Sequence, residues 1–153
     1  MNIVNLQPQQ TTAIIMKILI FLLFLLAPAI AFAADISLVI QNLRSDQGAV
    51  FAGFFDKPDS FPGTEFAVGC ISKERIANGK VTIKCTIDPG SYAVAIFHDE
   101  NSNGEFDRNF LGIPKEGYGF SRNPELKMRP PDFTEALFEV GEVDLEMTIQ
   151  MRY

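Results

Sequence analysis

Apolar residues recur at every second position in several short stretches of this chain, and that period restricts those stretches to strands. In 80–87, Val81, Ile83, Cys85 and Ile87 share one face while Lys80, Thr82, Lys84 and Thr86 share the other. Segment 35–43 alternates in the same way, and 48–56 less cleanly. A further strand, 91–99, is entered through Asp88-Pro89-Gly90, a turn whose Pro sets φ and whose Gly supplies positive φ. Toward the end, 135–140 and 143–153 predict a final hairpin around Gly141-Glu142. No stretch carries a strong amphipathic helical stripe, although 65–77 can be read as a short helix. Six or seven short strands in about 120 residues, with turn signals between them, predict an all-β fold, a single antiparallel β-sandwich.

The first 34 residues stand outside this pattern. They hold no acidic residue, and 18–34 reads ILIFLLFLLAPAIAFAA after Lys17. Ala31-Phe32-Ala33 fits the small-x-small rule of signal peptidase, so 1–33 is expected to be a signal peptide cleaved after Ala33. The apolar run is shorter than the roughly 20 residues of a spanning helix and contains Pro28, so no stable membrane span is expected after cleavage. Met16-Lys17 is a natural start for such a signal, which makes 1–15 a candidate mis-called start. The remaining chain, 34–153, is one domain's worth, expected as a monomer in the periplasm or outside the cell. Without Lys17 it carries 12 Lys and Arg against 19 Asp and Glu, a formal charge of −7. Such a surface repels nucleic acid and anionic lipid and offers neither of them a basic run.

Cys70 and Cys85 are the only cysteines, and an even count in an exported chain predicts a disulfide. They flank the turn signal Asn78-Gly79. A four-residue loop over 76–79 would pair Arg75 with Lys80, Lys73 with Thr82 and Cys70 with Cys85, facing across one antiparallel ladder. Two buried free thiols are the simpler alternative.

The rhythm breaks over 100–132, more than 30 residues without a clear strand. A loop of that length is either functional or disordered, and its Phe106, Phe110, Leu111, Ile113, Tyr118 and Phe120 argue for an ordered loop with a small core of its own. The run HDENSNGEFDRNFLGIPKEGYGFSRNP, with Asp88-Pro89-Gly90 before it and Pro131-Asp132-Phe133 after it, resembles the bacterial family catalogued as domain of unknown function 2141. The resemblance covers roughly 36–153. It implies exported proteins and a β-sandwich similar to transthyretin-like and carboxypeptidase-regulatory-like domains, with no established activity; the fold expected for this chain is accordingly a sandwich of the transthyretin-like or immunoglobulin-like kind.

His98 is the only histidine, and a hydrolase would combine it with Ser91, Ser102 or Ser121 and a loop carboxylate, Asp99 or Asp107. No nucleophile elbow is present, and a histidine at a strand end more often hydrogen-bonds a loop carbonyl. A glycosidase pair of Glu116 and Asp107 rests on spacing any two carboxylates could meet. A non-catalytic binding or structural module is therefore expected, with a protein or glycan partner.

The polar stretch 99–107 supplies a sharper expectation. Counting Asp99 as position 1 puts Asn101 at 3, Asn103 at 5, Gly104 at 6, Glu105 at 7 through its carbonyl and Asp107 at 9, the spacings of an oxygen cage for Ca²⁺. Position 12, where a bidentate Glu belongs, is Phe110, so Glu116, Glu100 or the more distant Asp56 must complete the shell. With two neutral amides the expected affinity is weaker than about 10⁻⁵ M. The plain alternative is a polar turn whose Asp and Asn side chains hold backbone amides.

Overall fold

The computed structural model describes residues 16–17, 33–72, 74–125 and 129–153. Two compact units separate, Met1–Ile30 and Ala31–Tyr153. Of the first only Met16 and Lys17, both helical, are described, so the expected signal peptide falls almost wholly outside the described residues. No helix among the described residues is long and apolar enough to cross a membrane.

The second unit is a β-sandwich. Its strands are β1 (Ala34–Gln41), β2 (Ala49–Phe55), β3 (Val68–Ile71), β4 (Val81–Ile87), β5 (Gly90–Asp99), β6 (Gly117–Phe120), β7 (Phe138–Val140) and β8 (Leu145–Gln150), with a one-turn helix α1 (Phe133–Ala136) before β7. One sheet has the order β4-β1-β8; the other runs β3-β2-β5-β6, with β7 paired to the start of β5. The alternation read from sequence builds the first sheet directly. Ile36, Leu38 and Ile40 sit opposite Cys85, Ile83 and Val81 on β4, and opposite Leu145, Met147 and Ile149 on β8. Val50, Ala52, Phe54, Val94 and Ile96 meet this face from the second sheet and close the core. Each fully buried aliphatic or aromatic side chain there contributes about 1.5–3 kcal/mol of transfer free energy.

Three expectations are corrected. The segments after 135 form no hairpin, because β7 joins β5 and β8 joins β1, in parallel. Period two fixes which face is buried, not which strand lies alongside: Phe138 packs on Phe54, whereas Leu145, Met147 and Ile149 extend the apolar rows of β1. The short helix considered over 65–77 is instead the edge strand β3, paired to β2 with Cys70 opposite Ala52. The cysteines do form a disulfide, with a Cα–Cα distance of 6.3 Å. It does not cross one ladder, however. The Asn78-Gly79 turn is closed by an Ala77–Lys80 bridge, and β3 and β4 then diverge into different sheets, so the bond links the two layers. A disulfide of this kind fits an oxidising compartment.

The face of the second sheet turned away from the core carries a row of rings. Phe51 stacks on Phe97 at 5.0 Å, Phe97 meets Phe106 at 5.8 Å, and Phe106 meets Tyr118 at 6.2 Å. Phe120, Ala93 and Ala136, with Phe61 and Phe133 against them, form a second small core. Over the described residues 100–125 the long loop thus packs on the sandwich, and it contains β6. Its apolar residues divide: Phe106, Tyr118 and Phe120 pack inward, but Phe110, Leu111 and Ile113 are exposed.

Candidate functional site

β5 delivers His98 and Asp99 to the end of the sandwich where the chain enters 100–116. Alternation turns His98 to the inner face opposite Val50, where it is fully buried. Its Nε2 lies 2.8 Å from the Gln47 carbonyl, which can only accept, so Nε2 carries the proton. Nδ1 is then the acceptor for the Tyr153 hydroxyl at 2.8 Å. Burial raises the pKa of Tyr153, whose oxygen also accepts the Arg44 N–H at 3.1 Å. This ring can lie there because Gly117 has no side chain: a Cβ would come within 2.4 Å of it. Two of the three serines that a hydrolase would need are engaged elsewhere, and Ser102 lies exposed in the loop with neither His98 nitrogen on it. Ser91 donates to Glu139, and Ser121 donates to the Ala136 carbonyl while accepting the Val94 N–H. Nothing in the sequence marks Tyr153 as the histidine's partner, since 55 residues separate them.

Asp99 is 2% exposed, and its carboxylate folds the loop by accepting the Asn103 N–H at 3.1 Å and the Gly104 N–H at 2.8 Å. Asn101 and Asn103 repeat this locally, their amide oxygens accepting the N–H two residues on at 3.0 and 2.9 Å. Gly104 has φ +76°, a left-handed position glycine takes without strain. The Asn101 and Asn103 amide nitrogens both donate to Asp107 Oδ2, at 2.7 and 3.2 Å. Positions 1, 3, 5 and 9 of the loop are therefore gathered by hydrogen bonds.

The three carboxylates offered for the missing position separate cleanly. Glu100 is turned away: Arg44 forks onto it, with Nε 2.9 Å from Oε2, and the Ser45 hydroxyl donates to it at 3.0 Å. The Arg44 hydrogen bond holds its carboxyl below the usual carboxylate range, against a desolvation that raises it. Asp56 follows Phe55, whose partner is Ala93, at the far end of the β2–β5 pair from Asp99. Glu116 alone lies under the loop. It is 4% exposed, and its two oxygens accept the N–H groups of Glu100 at 3.2 Å and Asp107 at 3.1 Å. Among the described residues no group of three Asp, Glu, His or Cys side chains comes together as a metal cluster. A cation here would need the amide and carbonyl oxygens as well.

Residues 38–148 match the model of a family described as "Uncharacterized protein conserved in bacteria (DUF2141)". No curated protein and no solved structure matches the chain.

Proposed function

This chain belongs to the bacterial DUF2141 family, and for it we propose the role of an exported, non-catalytic β-sandwich module whose Asp99–Asp107 loop takes up Ca²⁺. The observation that carries the reading is Glu116, a buried carboxylate fixed beneath a loop whose 1, 3, 5 and 9 positions are already drawn together. Asp99, Asp107, Glu116, the Asn101 and Asn103 amide oxygens and the Glu105 carbonyl supply only hard oxygen donors, the chemistry Ca²⁺ selects. Two neutral amides keep the affinity at extracellular strength, about 10⁻⁴ to 10⁻³ M. The absence of catalysis is supported by His98, whose two ring nitrogens are both occupied in a buried site with no serine hydroxyl on either. The disulfide supports an exported setting, periplasmic or extracellular.

Thermal melts test the cation. Calcium at about ten times its dissociation constant should raise the midpoint by about 5 °C over chelator, because an ion held only by the folded state adds RT ln(1 + [L]/Kd). Magnesium should do less, since it demands a tighter octahedral shell. Glu116→Gln and Asp107→Asn should each abolish the calcium increment. A wild-type midpoint that ignores calcium would leave 99–107 as a hydrogen-bonded turn.

A further inference from the structure

Segment 108–115 reads RNFLGIPK, two cations and no acid, within a chain of net charge −6. It contains the most exposed large apolar residue described, Phe110 at 95%, together with Leu111 at 68% and Ile113 at 55%. This exposure belongs to a built turn. Arg108 bridges to Pro114, the Asn109 N–H donates to the Ile113 carbonyl at 2.9 Å, and the Gly112 N–H donates to the Asn109 carbonyl at 2.9 Å. Inside the turn Asn109 Oδ1 accepts the N–H groups of Leu111 at 2.9 Å and Ile113 at 3.0 Å. The polar residue is thus spent on the backbone, and the apolar side chains point outward. A turn that only connected strands would reverse that choice.

Shape and charge decide what such a tip meets. Three side chains on a convex turn are far short of the roughly 800 Å² per partner that a stable protein interface buries. A bilayer interface requires no matching cleft, and it accepts apolar side chains below the headgroups with cations level with the phosphates. Arg108 and Lys115 are both exposed at the base of the turn, Arg108 lies 5.1 Å from the Phe106 ring, and the ion pairs among the described residues leave both out. The acidity of the whole chain argues against an anionic surface, and Glu105, Asp107 and Glu116 lie next to the turn. But Glu116 is buried with both oxygens on backbone amides, Asp107 is turned to the Asn101 and Asn103 amides, and more distant charges are screened at physiological salt, so Arg108 and Lys115 are the exposed charges within the turn itself. We propose that the turn 108–115 inserts Phe110, Leu111 and Ile113 into the interfacial layer of a phospholipid bilayer, with Arg108 and Lys115 on anionic headgroups. The inference goes beyond the calcium reading and needs no cation in the loop.

The chain contains no tryptophan, so Phe110→Trp places a single emitter at the tip. It is titrated with phosphatidylcholine–phosphatidylglycerol vesicles in chelator. The expected result is a blue shift, quenching by lipids brominated in the acyl chains, and weakening by salt. Adding Leu111→Ser and Ile113→Ser in the same background should reduce binding by about tenfold or more, with the far-UV spectrum unchanged. Emission that stays that of an indole in water at saturating lipid overturns the proposal, even if the chain sediments with vesicles through another segment. A blue shift that grows with protein concentration in the absence of lipid overturns it in favour of self-association.

Discussion

Replacing Gly48 with alanine is expected to remove about 3 kcal/mol or more of stability, a large share of the roughly 5–15 kcal/mol that a domain of this size has. Gly48 has φ +73°, and a Cβ there would lie 1.8 Å from the Asp99 carbonyl oxygen and 2.8 Å from Glu100 Cα. The left-handed conformation costs an alanine about 1–2 kcal/mol. The overlap adds to that, and no rotamer change relieves it, because the obstacle is the backbone of the partner strand at the Ala49–Asp99 pair. Relief requires β2 and β5 to part at this end, which would draw the Gln47 carbonyl from His98 and Asp99 from its loop amides. Gly104 and Gly112 provide the control. Their φ values are +76° and +79°, yet nothing lies within 4 Å of a Cβ at either, so alanine there should cost only the conformational term. Urea midpoints of the three variants measure the difference, and a Gly48→Ala as mild as the others would refute this approach of the two strands.

The faces of the strands were legible in the sequence, and their neighbours were not. Alternation in 80–87 and 35–43 is a local property, set by which side chains can be buried together, and it correctly places Ile36, Leu38, Ile83 and Cys85 inside. Pairing is non-local. Gly141-Glu142 has the chemistry of a turn whether the chain doubles back in one sheet or crosses to the other, and only the unfilled apolar rows of β1 decide that β8 goes there. The polar loop was legible because Asp and Asn at fixed spacings hydrogen-bond their own backbone within a few residues. That Glu116, rather than Glu100, lies beneath the loop was not readable, since it depends on Arg44, 56 residues from Glu100, drawing that carboxylate away. The exposure of Phe110, Leu111 and Ile113 is not legible in the sequence for a related reason. Composition alone cannot tell Phe106, which reaches Phe97, from Phe110, which a turn closed by Asn109 holds in solvent.

Loss of the Cys70–Cys85 bond should lower the thermal midpoint by about 10 °C. Closing a loop across 15 residues restricts the unfolded chain by about 3 kcal/mol in the chain-entropy account, and each kcal/mol is worth roughly 4 °C in a domain of this size. The place where the bond lies adds a second, local effect. β3 has four residues, pairs with β2 and is the edge of its sheet, so the disulfide to β4 is the covalent cross-link, beyond the connecting chain 72–80, that ties it to the other layer. Without it, β3 should fray before the sandwich unfolds. The Ala67 and Ser72 amides, which donate to the Phe54 and Val50 carbonyls at 2.7 and 2.9 Å, should then exchange faster, while amides in the central strand β1 follow only global stability. Reducing the wild-type bond isolates the cross-link, whereas Cys70→Ala with Cys85→Ala also removes the buried Cys85 sulfur from the core and should fall somewhat lower. A bond across one hairpin ladder, as the sequence spacing suggests, would hold β3 to β4 as paired neighbours, and its reduction would expose the amides of both strands together. Accelerated exchange confined to β3 is therefore the outcome that an inter-sheet disulfide requires, and uniform acceleration through β3 and β4 would return it to a hairpin.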